Sequence, residues 1–252
     1  MHALKYSILP FLLLLTSCEK EVQGEYLFRK SDEYFFIPPP VVSKERPPYP
    51  WEQQDVGGYP RITKEFFRCN GNPLNDVVEK KREGKESFYY RDCSGTHGLP
   101  LVDGEEFIYP VLLDLLNYIQ AQTKKRVVIT TGHRCPTHNA YSDYTSYNFG
   151  SKHMIGAEVD FYVEGVDAQE LIPILQSYYE EPFQRYTKNN LNVRTPAWYN
   201  KEVFIKLYLP DEGRDKDNQH TLSYIGIQVR HDRDKNQPVR FEAQLSEAYL
   251  RN

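Results

Sequence analysis

The sequence predicts an α+β fold, in which helices pack on a small antiparallel sheet and form a single domain behind a proline-rich tether. Three observations predict it. The centre of the chain has apolar residues at helical spacing, the last third alternates between apolar and polar residues, and a cluster of prolines precedes both.

The first predicted helix lies within residues 104–125, GEEFIYPVLLDLLNYIQAQTKK. Its apolar residues recur at i, i+3, i+4 and i+7, as in an amphipathic helix, at positions 108, 111, 112, 115, 116 and 119. Pro110 falls in the first turn, where a missing backbone N–H is tolerated. The β-branched run RVVITTG, residues 126–132, then predicts a buried strand.

Residues 156–163, GAEVDFYV, predict a second strand with Glu158, Asp160 and Tyr162 on one face. Asp167 and Glu170 have the spacing of a capping box, so a helix is expected over residues 168–181. The last third predicts an antiparallel meander. Its three strands are residues 202–209, 222–230 and 238–245, with the turn HDRDKNQ before the last.

The N-terminus predicts export. A short apolar run, too short for the roughly 20 residues of a membrane-spanning helix, leads into Leu-Thr-Ser-Cys18. This tetrapeptide resembles a bacterial lipobox, so residues 1–17 are predicted to be a signal peptide and Cys18 the acylated residue; a plain signal peptide is the alternative. Residues 18–60, with six prolines from Pro38 to Pro50, predict an extended linker, and residues 61–252 the folded domain.

Charge gives no reason to expect nucleic acid as a partner. The chain has a net charge of -4, and removing residues 1–17 takes away one cation, Lys5, and no acid, which leaves -5. Three cysteines follow Cys18. In an oxidising compartment Cys69 and Cys93 could form a disulfide and leave Cys135 as an odd thiol.

The stretch GSKHMIGAEVDF, residues 150–161, contains the strongest candidate site. Gly156 permits a sharp turn between His153 and the strand, so the side chains of His153 and Asp160 can face one point. A nitrogen and a carboxylate ligand suit zinc. Ser151 could support the metal ligands or contact a substrate.

The same residues resemble a known family. SKHMIGAEVD matches, at all but one fixed position, the Ser-x-His-x-x-Gly-x-Ala-x-Asp motif of zinc D-alanyl-D-alanine carboxypeptidases and related murein endopeptidases. ITTGHRCPTHNAY resembles the family's Ser-Gly-Tyr-Arg segment, and KEFFRCNGNP its phenylalanine-cysteine segment. The resemblance covers roughly residues 62–180. It implies that His153 and Asp160 bind zinc and that Arg134 receives a substrate carboxylate or carbonyl.

Two departures concern the metal ligands. The family's alanine is Glu158, and its third ligand, a histidine in a late Val-His-Val-Asp pattern, aligns with Gly226 in YIGIQVR, with Gln228 in place of the aspartate. We expect His220 to be the third ligand, with His231 as the alternative, and we expect His133 and His138 to line the pocket. Asp217 is the predicted general base, and Glu158 is the second candidate; Asp215 and Asn218 lie close to Asp217 in sequence.

The resemblance implies a function: zinc-dependent hydrolysis of peptide bonds in peptidoglycan stem peptides, of the D-Ala-D-Ala carboxypeptidase or cross-link endopeptidase type. The alternative is a catalytically inactive lipoprotein that binds murein or a partner through a degenerate metal site. In either case we expect a lipid-anchored protein of the bacterial cell envelope that faces the periplasm or the exterior.

Overall fold

The computed structural model describes residues 54–70, 72, 78–80, 88–90, 93, 97–142, 150–186, 196–210, 215–218 and 220–251. The predicted signal peptide, the predicted acylation site Cys18 and most of the predicted linker lie outside these residues. None of the helices in the described parts of the chain is long and apolar enough to cross a membrane.

The described residues form four α-helices and two 3₁₀ turns. The helices are α1 (Pro110–Thr123), α2 (Pro136–Ser142), α3 (Ala168–Ser177) and α4 (Ala243–Glu247). The 3₁₀ turns are Lys64–Phe67 and Lys152–Ile155.

The strands of the described residues, in chain order, are β1 (Asp55–Val56), β2 (Tyr59–Pro60), β3 (Val78–Lys80), β4 (Phe88–Tyr90), β5 (His97–Val102), β6 (Glu105–Glu106), β7 (Val127–Thr131), β8 (Glu158–Val163), β9 (Gln184–Arg185), β10 (Ala197–Tyr199), β11 (Val203–Tyr208), β12 (Tyr224–Val229), β13 (His231–Asp232), β14 (Gln237–Pro238) and β15 (Tyr249–Arg251). Their largest sheet has six strands in the order β7-β8-β12-β11-β10-β9, and all of its pairings are antiparallel. The mixed α+β class is therefore confirmed, with a main sheet larger than the small one predicted.

Helix α1 follows the predicted pattern. Pro110 is its first residue, and the helix ends at Thr123, with Lys124 in the left-handed conformation at the C-cap. The buried residues of α1 include the predicted apolar face and also Gln120. The helix packs against β7, β12 and α3, so its apolar face covers the main sheet and forms the centre of the core.

Helix α3 and the late strands agree only in part with the prediction. Asp167 caps α3, because its Oδ1 accepts a hydrogen bond from Gln169 N at 2.8 Å, but the helix ends at Ser177. The predicted strand at 238–245 is wrong: only Pro238 lies in a strand, β14, and residues 243–247 form α4. Of the three predicted strands only β11 and β12 pair, but β10 and β9 continue them into an antiparallel meander, and β8 is the neighbour on the other side of β12.

A hairpin of β1 and β2 forms at the end of the predicted linker and is bound to α1 by Gln120. This side chain is 1% exposed, and its Nε2 donates to the carbonyls of Val56 and Pro60 at 3.1 and 3.0 Å. Its Oε1 accepts from Val127 N at 3.3 Å. One amide therefore joins the hairpin, α1 and β7, an arrangement that helical periodicity cannot reveal because Gln120 is polar.

We expect Gln120→Leu to lower the free energy of unfolding by at least about 2 kcal/mol, because it removes three hydrogen bonds made by a buried side chain and leaves the N–H of Val127 without its partner. Gln122→Leu, at an exposed position of the same helix, should change it by less than about 0.5 kcal/mol. Urea denaturation of both variants measures the difference, and equal stabilities would contradict this role of Gln120.

Candidate metal and catalytic site

The candidate site begins at the 3₁₀ turn Lys152–Ile155, which enters β8. Ser151 caps this turn, since its side chain accepts a hydrogen bond from His153 N at 3.2 Å. Gly156 closes it with φ +68°, and a Cβ atom there would lie 2.8 Å from the carbonyl oxygen of Phe107. Glycine is therefore required, and the sharp turn predicted between the histidine and the strand is present.

His153, Glu158 and Asp160 form a compact cluster. His153 Nε2 lies 3.8 Å from Glu158 Oε1 and 3.6 Å from Asp160 Oδ2, and one ligand atom from each residue lies within 4.8 Å of the others. Each of the three residues is less than one-tenth exposed. Glu158 and Asp160 share one face of β8, as alternation predicts. These residues could together hold a metal ion.

Each potential ligand has an outer hydrogen-bond partner. His153 Nδ1 lies 2.8 Å from Gly132 O; because a carbonyl only accepts, Nδ1 carries the hydrogen and Nε2 is left to face the carboxylates. Gln228 Nε2 donates to Glu158 Oε1 at 2.6 Å, and Asn218 Nδ2 donates to Asp160 Oδ2 at 2.9 Å. Such outer contacts fix the orientation of metal ligands in known sites.

Neighbouring charges favour the charged forms of His153 and Asp160, although both residues are buried. Burial acts to lower the pKa of His153, but Glu158 and Asp160 outweigh it, so that the pKa is raised. Burial acts to raise the pKa of Asp160, but its contacts with His153, together with Arg134 and Asn218, lower it. The site is therefore suited to an ionised carboxylate beside a positive centre.

Gly226 lies beside the cluster on the neighbouring strand. It pairs with Asp160 in the register of β12 and β8, and Gln228 pairs with Glu158. A Cβ atom at Gly226 would lie 2.8 Å from Asp160 Oδ1 and 3.2 Å from a ring carbon of Tyr208. The position that aligns with the family's third histidine is thus next to the site, but it carries no side chain.

The structure does not bring His220 or His231 into the cluster with His153. The ring of His220 lies 5.1 Å from that of Tyr162 and 5.5 Å from that of Tyr224, whereas His231 lies in β13. Because β12 runs antiparallel to β8, the chain before β12 lies at the Tyr162 end of β8, away from the turn that carries His153. The third potential ligand is Glu158 instead of the predicted His220.

Asp217 is buried among hydrogen-bond donors. Its Oδ2 accepts from Arg134 Nε at 2.8 Å, and its Oδ1 lies 2.9 Å from His138 Nε2 and accepts from Ser142 Oγ at 2.8 Å. Burial acts to raise its pKa, but His138 and Arg134 hold the pKa well below the usual range. So stable a carboxylate is a weak proton acceptor, which argues against the base role that the sequence suggested for Asp217.

Asp215 is the more suitable proton acceptor of the two. Burial raises its pKa, although Arg134 acts to lower it, and its side chain is 21% exposed compared with 2% for Asp217. Its Oδ1 accepts from Asn218 Nδ2 at 2.9 Å, and the same nitrogen donates to Asp160. One amide group therefore connects Asp215 with the potential metal ligands.

Arg134 is held inside the protein by this acidic pair. Its side chain is 3% exposed, and its guanidinium binds Asp217 through Nε and Asp215 through Nη2. The guanidinium that was expected to receive a substrate is thus occupied by two carboxylates. It positions Asp215, and through Asp215 the neighbouring Asn218.

A second cluster was missed from the sequence. Cys69, Cys93, His97 and Cys135 are all buried, and one ligand atom from each lies within 4.8 Å of the others, so that this group could bind a metal ion. The cysteines are present as thiols, and the Cys69–Cys93 disulfide considered above is not formed. The sequence does contain an indication of this cluster: Cys93-x-x-x-His97 has a spacing typical of metal ligands, and two further cysteines are present.

His133 and His138 lie in the interior between the two clusters. The ring of His133 packs edge-on against His97 with centroids 5.7 Å apart, and neither of its nitrogens has a hydrogen-bond partner among the described residues. Burial, together with the neighbouring histidines, holds the pKa of His133 well below its usual value. His138 contacts Asp217 and Cys69. Both rings therefore lie deeper in the protein than the pocket-lining positions predicted for them.

Comparison with known proteins gave no relative. No family model, no curated protein and no solved structure matches this chain.

We expect Arg134→Lys to destabilise the fold, because an ammonium group cannot replace both contacts of the guanidinium. Each charged hydrogen bond lost should cost about 1.5–3 kcal/mol. Arg126→Lys is the matched control, since Arg126 is 60% exposed and its pair with Glu164 spans 3.8 Å. Urea unfolding should separate the two variants, and an Arg134→Lys protein as stable as Arg126→Lys would contradict the structural role of Arg134.

Proposed function

We propose that this protein is a zinc-dependent peptidase that acts on peptidoglycan stem peptides and binds its metal ion through His153, Glu158 and Asp160. The observation that supports this most directly is the convergence of these three buried side chains, each oriented by its own partner: Gly132 O, Gln228 and Asn218. The substrate class comes from the resemblance of SKHMIGAEVD to the family motif.

Glu158 has a specific part in this proposal. Compared with the family pattern, the chain lacks a histidine at Gly226 and gains a carboxylate at Glu158, two residues before Asp160 on the same face of β8. Glu158 thus supplies a potential ligand that the family pattern does not have, while Gly226 lacks the ligand that it does have. Three protein ligands of this type leave a position open for water or substrate, as in catalytic zinc sites.

Bound zinc would supply a water of lowered pKa and polarise a carbonyl group. The protein's own residues would do the remaining work. Asp215 is the candidate to accept a proton and return it to the leaving amine, because its carboxylate is partly exposed, burial raises its pKa, and Asn218 links it to Asp160. Arg134 positions Asp215. Ser151, which is half-buried next to His153, is the candidate substrate contact.

The predicted lipid anchor at Cys18 fits this substrate. An acylated N-terminus followed by the proline-rich linker would keep the domain near a membrane of the cell envelope, where peptidoglycan lies.

A second candidate function is a murein- or partner-binding lipoprotein without catalytic activity. Glycine at position 226 favours it, because the position opposite Asp160 carries no ligand, and so does the engagement of Arg134 by two carboxylates. The two proposals differ in turnover: the binder retains murein peptides unchanged, whereas the peptidase releases D-alanine or cleaves cross-links.

We expect Glu158→Gln to weaken zinc binding by more than the roughly 10–100-fold that follows from loss of an outer partner, and to abolish hydrolysis of purified stem peptides. The matched control is Glu164→Gln, one residue beyond β8, where the glutamate is 48% exposed. Competition with a zinc-binding dye gives the affinity, and chromatography of the peptides gives the turnover.

The outcomes of this experiment separate the alternatives. Zinc binding lost with Glu158→Gln but not with Glu164→Gln supports the metal site. If the wild-type protein binds zinc there yet leaves every stem peptide intact, the binding function replaces the peptidase. Unchanged affinity in Glu158→Gln would remove Glu158 from the ligand set.

A further inference from the structure

The second cluster is assembled from three distant segments of the chain. Cys69 follows the turn Lys64–Phe67, Cys93 precedes β5, His97 is the first residue of β5, and Cys135 lies between β7 and α2. All four side chains are buried, and the three cysteines are each at most 5% exposed. The three cysteines form a small cluster of their own, separate from the main hydrophobic core. General apolar packing therefore does not explain why these thiols meet.

His97 is oriented as a metal-binding histidine would be. Its Nδ1 lies 2.9 Å from Gly98 O, and since a carbonyl only accepts, Nδ1 carries the hydrogen. Nε2 is then left to face the sulfurs, and it lies 3.0 Å from Cys93 Sγ. A backbone carbonyl that fixes one ring nitrogen while the other faces the ligand group is a recurrent outer contact of metal sites.

One sulfur atom also has a neighbour that suits a thiolate. The backbone N–H of His138 donates to Cys135 Sγ at 3.3 Å. A donor of this kind stabilises the deprotonated sulfur that binds a metal. The site thus provides three sulfurs, one nitrogen and part of the outer contacts.

We propose that Cys69, Cys93, His97 and Cys135 bind one structural zinc ion, separate from any ion at His153. Three cysteines and one histidine form one of the common tetrahedral sets of structural zinc. Four protein ligands leave no position for substrate, so this ion would have no direct part in hydrolysis. Soft thiolate ligands favour zinc over magnesium or calcium, which prefer oxygen.

The ion would tie two layers of the protein together. His97 lies in the sheet β15-β5-β6, whereas Cys135 follows β7 at the edge of the main sheet. Cys135 is also the neighbour of Arg134 and lies three residues after Gly132, whose carbonyl orients His153. The zinc ion would therefore hold in place the loop that supports the first cluster.

The test measures metal in the purified full-length protein and in four variants. Cys69→Ser and His97→Asn should each lose one zinc equivalent after dialysis, and with cobalt in place of zinc they should lose the thiolate-to-cobalt charge-transfer band. His231→Asn is the control, because His231 lies in β13, outside both clusters. It should keep both signals at the wild-type level.

The His153→Ala variant separates this proposal from the proposed function. It should keep the thiolate-to-cobalt band and the zinc equivalent that Cys69→Ser loses. If zinc is lost from His153→Ala only, the thiol site is overturned and the proposed function stands. If zinc is lost from Cys69→Ser and His97→Asn only, the thiol site stands and the site at His153 fails.

A measurement on the wild-type protein remains decisive if the variants do not fold. Titration of the reduced protein with an organomercurial should release one zinc equivalent as the three thiols react, and the melting temperature should fall with that release. Release of no zinc would overturn the proposal. A zinc-free protein whose mass in the native state is two hydrogens below that of the reduced chain would also overturn the proposal. That mass would show that two of the thiols are joined in a disulfide.

Discussion

Close contact between the backbones of Gly132 and Phe67 is the constraint on which the rest of the site depends. A Cβ atom at Gly132 would lie 2.5 Å from Phe67 Cα, and His133 N donates to Phe67 O at 2.6 Å. Only glycine permits this approach. The Gly132 carbonyl orients His153, while Cys69 lies two residues after Phe67 and Cys135 three residues after Gly132. One backbone contact thereby positions both candidate metal sites.

The buried carboxylates of the His153 site would cost free energy if no positive charge balanced them. Glu158 and Asp160 are both buried, and a buried carboxylate needs a positive partner or must take up a proton. Although burial acts to lower the pKa of His153, Glu158 and Asp160 raise it, so these carboxylates favour a proton on the ring when no metal ion is bound. A metal ion would replace that proton, so metal and proton compete for the same imidazole. The same rule applies to the carboxylates of Asp215 and Asp217, which are balanced by the permanent positive charge of Arg134.

Local patterns predicted much of this fold and part of the site. The periodicity of α1, the alternation of β8 and the turn at Gly156 were all found from sequence, because each depends on neighbouring residues. The exclusion of His220 and the gathering of the four thiol-site residues were not. The first depends on the order of strands in the main sheet, and the second on how segments distant in the sequence pack together. Residues 238–245 were predicted as a strand because they alternate, but α4 begins among them, at Ala243. Glu158 was noticed as a departure from the motif, and only the fold showed that it completes a cluster.

Zinc K-edge X-ray absorption of the full-length wild-type protein, combined with its metal content, tests most directly whether His153, Glu158 and Asp160 form a metal centre beside the thiol site. We predict two zinc ions per chain, with a sulfur shell at about 2.3 Å and a nitrogen and oxygen shell at about 2.0–2.2 Å. The nitrogen and oxygen shell should contain more ligands than the single histidine of the thiol site can supply. One zinc per chain with only a sulfur-rich shell, or no zinc at all, would contradict the proposed metal centre at His153.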